Sequence, residues 1–471
     1  MSPEKIQLVE LLLRNKGIDF HQVQSIPRSE SESSLLSFEQ ERAWFLDRQA
    51  RQNPGCNVSV ALRLSGRLSV TALERGLNET IRGHDVLRAH FVSVGGLPVQ
   101  VISDAAAVSL RLEDLSHLTG SYREDRALQL ARLDAGAPFD IAAAPPIRLS
   151  LLKLDDELHI LLLTFHEIIS DGCSIDILVR EIAARYQAKS TGQASRPAEA
   201  SVQYADYALW QRQQQQSDSG ASRGHLDGRK LGELVSVSET AAGRARRPGQ
   251  FRAGARENFR LGESVIADLR NLSRRERVTL ATTLLAAFEV LLRHYTEQGD
   301  VVVSVSLPNR TRAELREMVG PLTDIFALRS AAPAEASFHK VLRRTKATTL
   351  AAYERKDQPL QDMVADPRPE QDSSRGPVFH AMFALVPARP SEIEFADLKA
   401  GVAEVHNGAA KCDLSLLIED REKEMIGALE YDTSLFDAAD IRRMAARFQS
   451  LLAAIASDAE QTVESLSLKT F

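Results

Sequence analysis

Cysteine is scarce in this chain: its 471 residues include only Cys56, Cys173 and Cys412, which are far apart in the sequence. A disulfide framework needs cysteines in pairs, and a thiolate zinc site needs several at short spacing. The sequence therefore argues against both. It is typical of a protein from a reducing cytoplasm, and we expect a cytoplasmic location.

Long apolar runs and an excess of positive charge are also missing. No apolar stretch reaches the roughly 18 residues that a membrane-spanning helix needs. The N-terminus carries acidic and basic residues from Glu4 onward, unlike a signal peptide. The formal net charge is -6, so neither nucleic acid nor an anionic membrane is expected as a partner.

What is present is the composition of an ordinary globular protein, 44% hydrophobic and 26% charged. Because 471 residues are too many for one compact core, two lobes are expected. Strand-like and helix-like stretches alternate, which predicts an α/β or α+β fold. The predicted organisation is an N-terminal amphipathic helix and linker (1–34), a first lobe (35–216), a polar inter-lobe linker (217–256) and a second lobe (257–471).

The strongest functional signal lies in residues 164–172. They follow an apolar run, residues 158–163, that predicts a buried strand, and they end in a Ser-Asp-Gly turn before a new helix. His166 and Glu167 are thus adjacent ionisable residues at the exit of a buried strand. Such residues are costly to desolvate unless they have partners or a task.

Several other chemistries can be set aside. His166 and Glu167 begin a near match to the zincin pattern His-Glu-x-x-His, but Ser170 occupies the second ligand position and the preceding residues predict a strand. Residues 220–224 match Gly-x-Ser-x-Gly, yet they follow a polar run rather than a buried strand. Cys173 has no evident histidine to activate it. No glycine-rich phosphate loop occurs.

Several stretches, taken in order, resemble the signatures of the condensation domain of nonribosomal peptide synthetases. The similarity covers nearly the whole chain from about Leu36 onward. Each stretch is short, but their order and spacing are specific to the family. The stretches that carry the resemblance are Ser37–Leu46, Gly83–Phe91, 164–172, Tyr204–Trp210, Asn309-Arg310, Val319–Arg329 and Asp372–Pro377.

The resemblance implies two lobes of the chloramphenicol-acetyltransferase type that form a V around a central tunnel. It also implies an acyltransferase that forms an amide or ester bond in nonribosomal peptide or hybrid peptide-polyketide biosynthesis. The expected partners are donor and acceptor carrier proteins, each bearing its substrate on a phosphopantetheine thioester, and other synthetase modules. No cofactor is expected to be bound by the chain itself.

The third signature departs from the family at its central position. The family pattern His-His-x-x-x-Asp-Gly is His-Glu-Ile-Ile-Ser-Asp-Gly at residues 166–172, so Glu167 stands where the second, generally catalytic His is found. Because neighbouring side chains of an extended segment point to opposite faces, we expect Glu167 to face the tunnel and His166 to be structural. A carboxylate has a reference pKa of about 4.3, so Glu167 would act as a base only if burial raised its pKa.

The rest of the motif follows the family. The family's Asp is held by an arginine rather than doing chemistry, and Arg310 is the candidate partner of Asp171. Gly172 is expected to permit a tight backbone turn behind the site.

Further departures lie in stretches that line the tunnel or lobe interface in the family. Cys173 replaces a Trp, and Asp324 belongs to a Leu-Thr-Asp-Ile run where Phe-Val-Asn-Thr is usual. Together with Ser174 and Asn309, these residues are the candidates for the tunnel or interface.

Two functions remain open at this point. In the first, the chain is an acyltransferase in which Glu167 accepts a proton from, or orients, an attacking amine or hydroxyl. In the second, it is a catalytically silent domain that binds carrier proteins and gates or passes their intermediates. The sequence leaves open whether the chain is free-standing or excised from a larger synthetase.

Overall fold

The fold consists of two lobes, each built on a six-stranded sheet. The computed structural model describes residues 25–29, 33–49, 54–104, 108–191, 202–218, 252–295, 300–331, 333–353, 381–388, 392–421 and 424–470. The helix predicted at 3–17, most of the linker predicted at 217–256 and the signature at 372–377 lie outside these residues.

The first lobe carries two sheets with helices packed against them. Its elements are β1 (Ser33–Leu35), α1 (Phe38–Gln49), β2 (Asn57–Ser65), α2 (Val70–Gly83), β3 (Ala89–Val94), β4 (Leu97–Ile102), β5 (Arg111–Asp114), α3 (Ser121–Gly136), β6 (Ile147–Asp155), β7 (Leu158–His166), α4 (Gly172–Ser190) and α5 (Tyr204–Asp218).

The second lobe repeats the mixture of strands and helices. Its elements, in chain order, are β8 (Gly254–Leu261), α6 (Glu263–Arg275), α7 (Leu280–Tyr295), β9 (Asp300–Pro308), β10 (Thr323–Ala331), α8 (Phe338–Tyr353), β11 (Ala381–Pro387), β12 (Glu392–Phe395), β13 (Leu398–Glu404), β14 (Leu414–Arg421), β15 (Glu424–Asp432), α9 (Ala438–Ser457) and α10 (Val463–Thr470).

The strand orders show that the chain crosses between the lobes. The second-lobe sheet has the order β10-β9-β11-β14-β15-β8, whereas the first-lobe sheet has the order β12-β13-β2-β7-β6-β5. Strands β12 and β13 therefore belong to the first sheet although they lie within residues 257–471, and β13 runs antiparallel to β2. The small sheet of the first lobe has the order β1-β4-β3.

Local sequence signals account for where several elements begin. At the start of α1, Gln40 N–H donates to Ser37 Oγ and Ser37 N–H donates to Gln40 Oε1, both at 3.1 Å. This reciprocal pair is the capping box expected from a Ser followed by Gln three residues later. Ser69 caps α2 in a similar way by accepting the N–H of Ala72.

The core of the first lobe explains how second-lobe residues reach its functional motif. Strand β7 lies between β2 and β6 and is buried on both faces, with Leu161 and Phe165 at most 1% exposed. The same apolar cluster includes Val319 and Leu322, which precede β10 in the chain. The segment between β9 and β10 is thus anchored in the first lobe, close to the end of β7.

The prediction of an α/β fold with two lobes is confirmed. The predicted hairpin of β6 and β7 is present, and α8 has the predicted bounds. Strands β5, β12, β13 and β14 and helix α3 are elements that the sequence patterns did not indicate. Among the described residues, no helix combines the length and hydrophobicity needed to cross a membrane.

Candidate functional site: the end of strand β7

The motif begins where β7 ends. His166 is the last residue of the strand and pairs with Asn57 of β2, and the N–H of Glu167 donates to the carbonyl of Cys56 at 2.7 Å. After a short turn, Asp171 caps α4 by accepting the N–H of Ser174 at 2.7 Å. The buried strand and the capped helix therefore fix both ends of the motif.

Glu167 forms an ion pair with a lysine of the second lobe. Its Oε2 lies 2.7 Å from Nζ of Lys411, and the two side chains are 11% and 40% exposed respectively. Burial alone would raise the pKa of Glu167, but the charges of Lys411 and Arg42 outweigh burial and lower it to about 2. The carboxylate is therefore ionised at neutral pH, which is the opposite of the raised pKa that a carboxylate base would need.

The neighbours of this ion pair favour the same charge state. Burial would lower the pKa of the Lys411 ammonium, but the Glu167 carboxylate overcomes this effect and raises it. The thiol of Cys56 is also buried here, and both burial and the Glu167 charge raise its pKa. Cys56 therefore stays protonated and is unsuited to act as a nucleophile.

His166 is enclosed within the first lobe, where the sequence placed it. Its side chain is 2% exposed, Nδ1 accepts the N–H of Ile168 at 3.1 Å, and Nε2 lies 3.6 Å from Oδ1 of Asp47. Its ring also meets Phe139 edge-on, with 6.4 Å between ring centroids. His166 thus contacts a different set of groups from those around Glu167.

Asp171 is held by a dense set of donors. Its Oδ1 accepts from the N–H and hydroxyl of Ser174, both at 2.7 Å, and pairs with Arg310 Nη2 at 2.9 Å. Its Oδ2 accepts from the N–H of Leu322 at 3.1 Å and the hydroxyl of Thr323 at 3.2 Å. These contacts use the carboxylate fully, so Asp171 organises the site rather than offering a free base.

Arg310 is the partner of Asp171 that the sequence singled out. Its Nη1 donates to the carbonyls of Leu315 and Met318 at 2.8 and 2.6 Å, so the guanidinium also holds the segment between β9 and β10. The hydroxyl of Ser174 lies 2.9 Å from the carbonyl of Gly320 and accepts its N–H at 3.0 Å. Asp171, Ser174 and Arg310 therefore join the two lobes at the motif.

A glycine allows this close contact between the lobes. Gly320 has φ of +151°, and a Cβ there would lie 1.9 Å from Cδ2 of Tyr204. The hydroxyl of Tyr204 in turn donates to the carbonyl of Pro321 at 2.8 Å. The tight turn expected at Gly172 is not found, because Gly172 is the first residue of α4.

The remaining candidates lie around the same interface. Cys173 is half-buried, and burial together with the Asp171 charge raises the pKa of its thiol, so the structure gives it no activated thiolate. Asn309 donates its backbone N–H to Leu322 O at 2.6 Å, and its amide lies 3.5 Å from Oδ1 of Asp324.

Sequence reasoning missed two charged residues of this region. Lys411 is 244 residues from Glu167 in the chain, and no local pattern marks it as the partner of Glu167. Glu39 of α1 is 8% exposed and hydrogen-bonds Asp324, and burial raises its pKa. Asp324 thus meets an acidic side chain from the other lobe.

Metal chemistry has no candidate site in the part of the chain that the structure describes. No group of three or more His, Cys, Asp or Glu side chains there is arranged to hold a metal ion.

Comparison with known proteins identifies the family. Residues 30–470 match the family model of the condensation domain. The linear gramicidin synthase of Brevibacillus parabrevis includes a protein that is 34% identical over 445 residues, which cover 94% of this chain and 9% of that protein. Phosphinothricin tripeptide synthetase PhsC from Streptomyces viridochromogenes is 33% identical over 435 residues, which cover 90% of this chain and 39% of that protein. The chain therefore spans well under half the length of these relatives.

Solved structures show the same fold. The X-domain in its complex with OxyB from teicoplanin biosynthesis is 26% identical with a TM-score of 0.81, covering 94% of this chain and 98% of that one. The first condensation domain of the CDA synthetase is 20% identical with a TM-score of 0.70, covering 93% and 99%. This likeness confirms the predicted chloramphenicol-acetyltransferase-like fold. The chain belongs to the condensation-domain family of nonribosomal peptide synthetases.

Proposed function

We propose that this condensation domain binds carrier-protein-bound intermediates of a nonribosomal peptide synthetase and gates or passes them without forming the new bond itself. The observation that carries the proposal is the Glu167–Lys411 ion pair at 2.7 Å. It stands at the motif position where the family generally has its catalytic histidine.

A general base must hold a lone pair free for the proton and have a pKa near the working pH. Glu167 meets neither condition, because Lys411 already donates to its carboxylate and its pKa is about 2. An ionised carboxylate also has no hydrogen to donate to a developing oxyanion, as a protonated imidazole would have.

The likeness to the X-domain supports a binding role. That structure contains the X-domain in complex with OxyB from the same biosynthesis, and it matches this chain over 94% of its length. By analogy, the surface of this domain would hold partner proteins while a carrier presents its phosphopantetheine thioester.

The second candidate function is acyl transfer, the usual activity of condensation domains, with an atypical site. The complete set of contacts around Asp171 favours it, because the turn that positions the motif is kept. In this case Glu167 would orient an attacking amine or hydroxyl, and positioning would supply most of the rate enhancement.

A transfer assay separates the two candidates. The wild type, Glu167→Ala and Glu167→His would be mixed with an acyl-loaded donor carrier and a panel of amine and hydroxyl acceptors, and products would be followed by mass spectrometry. Carrier binding would be measured on the same samples by calorimetry. We expect the wild type to bind the loaded carrier and to form no product.

Other outcomes are equally informative. Product made by the wild type and lost in Glu167→Ala would overturn the silent domain and favour a catalytic carboxylate. Product made equally well by wild type and Glu167→Ala would reject both the silent domain and a role for Glu167. Failure to bind loaded carriers in any variant would remove the binding function.

A further inference from the structure

We propose that a cleft in the first lobe binds a primary amine carried on an apolar or aromatic body, such as the free N-terminus of a hydrophobic peptide, through the carboxylate of Asp47. The cleft is separate from the contact between Glu167 and Lys411, so the proposal does not rest on the function proposed above.

The cleft has the size and walls of a small-molecule site. It encloses about 730 Å³ between α1, the end of β3 and the loop at 138–142, within the range of about 300–1,000 Å³ usual for ligand pockets. Trp44, Phe91 and Phe139 are the aromatic side chains of its lining, and all lining residues belong to the first lobe. An apolar ligand body would therefore be buried against aromatic rings.

Of the three charged residues in the lining, Asp47 is the one left for a ligand. The guanidinium of Arg48 lies over the Trp44 ring, 4.6 Å from its centroid. Asp140 accepts the N–H of Ala142 at 3.1 Å. No hydrogen bond reaches the Asp47 carboxylate from any residue that the structure describes, and its side chain is 22% exposed.

His166 sits behind Asp47 and limits where its carboxylate can turn. Because Nδ1 of His166 accepts the N–H of Ile168, the hydrogen of the neutral ring is on Nε2. Nε2 is buried, has no hydrogen-bond partner among the described residues, and lies 3.6 Å from Oδ1 of Asp47. This separation is too long for a good hydrogen bond, so the acceptor capacity of Asp47 remains for a group in the cleft.

These features together select an amine. A carboxylate accepts hydrogen bonds and does not donate them, so its complement is a group with several N–H donors. The lining holds two carboxylates against one guanidinium, which disfavours an anionic ligand. An ammonium near aromatic faces gains a further cation–π attraction.

The chain offers a reporter for this binding, because Trp44 and Trp210 are its two tryptophans and only Trp44 lines the cleft. In a Trp210→Phe background, the fluorescence of Trp44 would be titrated with phenylalanyl-phenylalanine amide and with its N-acetyl form. We expect saturable quenching by the free amine and binding at least about tenfold weaker for the acetylated peptide, because it lacks the charged donor.

Matched variants test the assigned anchor. Asp47→Asn keeps the shape and removes the charge, and we expect it to weaken binding of the free amine by about tenfold or more. Asp140→Asn is the control in the same lining, and we expect its affinity to stay within about twofold.

The proposal is overturned if both peptides bind with equal affinity, if Asp140→Asn and Asp47→Asn have the same effect, or if no saturation occurs at millimolar peptide. The comparison of the two peptides on the unsubstituted cleft holds even if Asp47→Asn folds poorly.

Discussion

Replacing Glu289 by glutamine should remove a pH-dependent weakness from the core of the second lobe. Glu289 lies on α7 and is 1% exposed. Its Oε2 accepts the hydroxyls of Ser330 and Thr345, each at 2.7 Å. Burial raises the pKa of Glu289 from 4.5 to about 7, because these two hydrogen bonds offset only part of the desolvation.

The sign and size of the effect follow from the two pKa values. The folded lobe holds its proton up to about pH 7, whereas the unfolded chain releases it near pH 4.5. The stability that the protonated Glu289 provides is therefore complete below pH 4.5 and is lost as pH rises to 7. Each pKa unit is worth 1.36 kcal/mol, so the wild type should lose about 2.5 kcal/mol between pH 5 and pH 8. Glu289→Gln should not show this loss, because its amide oxygen still accepts both hydroxyls.

Urea unfolding at pH 5, 6, 7 and 8 would measure the difference. Both tryptophans lie in the first lobe, so hydrogen exchange of α7 is the appropriate probe of the second. Glu430→Gln provides a matched buried carboxyl with the opposite environment. Burial would raise the pKa of Glu430, but His406 and Arg256 outweigh burial and lower it.

Glu430→Gln should therefore destabilise the lobe at every pH in this range, while Glu289→Gln stabilises it increasingly toward pH 8. A difference between wild type and Glu289→Gln that stays constant from pH 5 to pH 8 would refute the reasoning.

Three further predictions concern the motif and the lobe contact. Arg310→Met should cost about 3–5 kcal/mol, because it leaves the buried Asp171 charge without its cation; faster hydrogen exchange in the segment before β10 would show this, and unchanged exchange would contradict it. Gly320→Ala should destabilise by at least about 2 kcal/mol, because the added Cβ meets a tyrosine ring and φ is unfavourable; a melting temperature equal to wild type would count against the close contact. For Glu167 and Lys411, a double-mutant cycle at pH 7 should give a coupling of about 1–3 kcal/mol, discounted because the ammonium is 40% exposed. That coupling should fade as pH falls from 4.5 toward 2, and a coupling near zero at pH 7 would rule out a stabilising pair.

Local interactions explain the parts of the fold that the sequence predicted well. The capping box of Ser37 and Gln40 spans three residues, and the apolar run of β7 together with its turn spans one hairpin. Such signals act between near neighbours, so they are written in short stretches of the chain. The pair of Asp171 and Arg310 was also anticipated, but from the family resemblance rather than from local chemistry.

Long-range strand pairing was beyond this reasoning. Strands β12 and β13 join the first sheet through β2, more than 300 residues earlier in the chain, where Glu404 pairs with Val60. Neither strand has a local feature that names its partner, because main-chain hydrogen bonds are the same for every sequence.

The sequence by itself determined the family, the α/β fold and the place of the motif with its unusual Glu167. Only the tertiary structure decided what Glu167 experiences there. Its pKa depends on the balance between desolvation, which raises it, and the charges of Lys411 and Arg42, which lower it. Lys411 is 244 residues away in the chain, so folding alone brings the opposing charge to 2.7 Å and settles the balance in favour of a paired, ionised carboxylate.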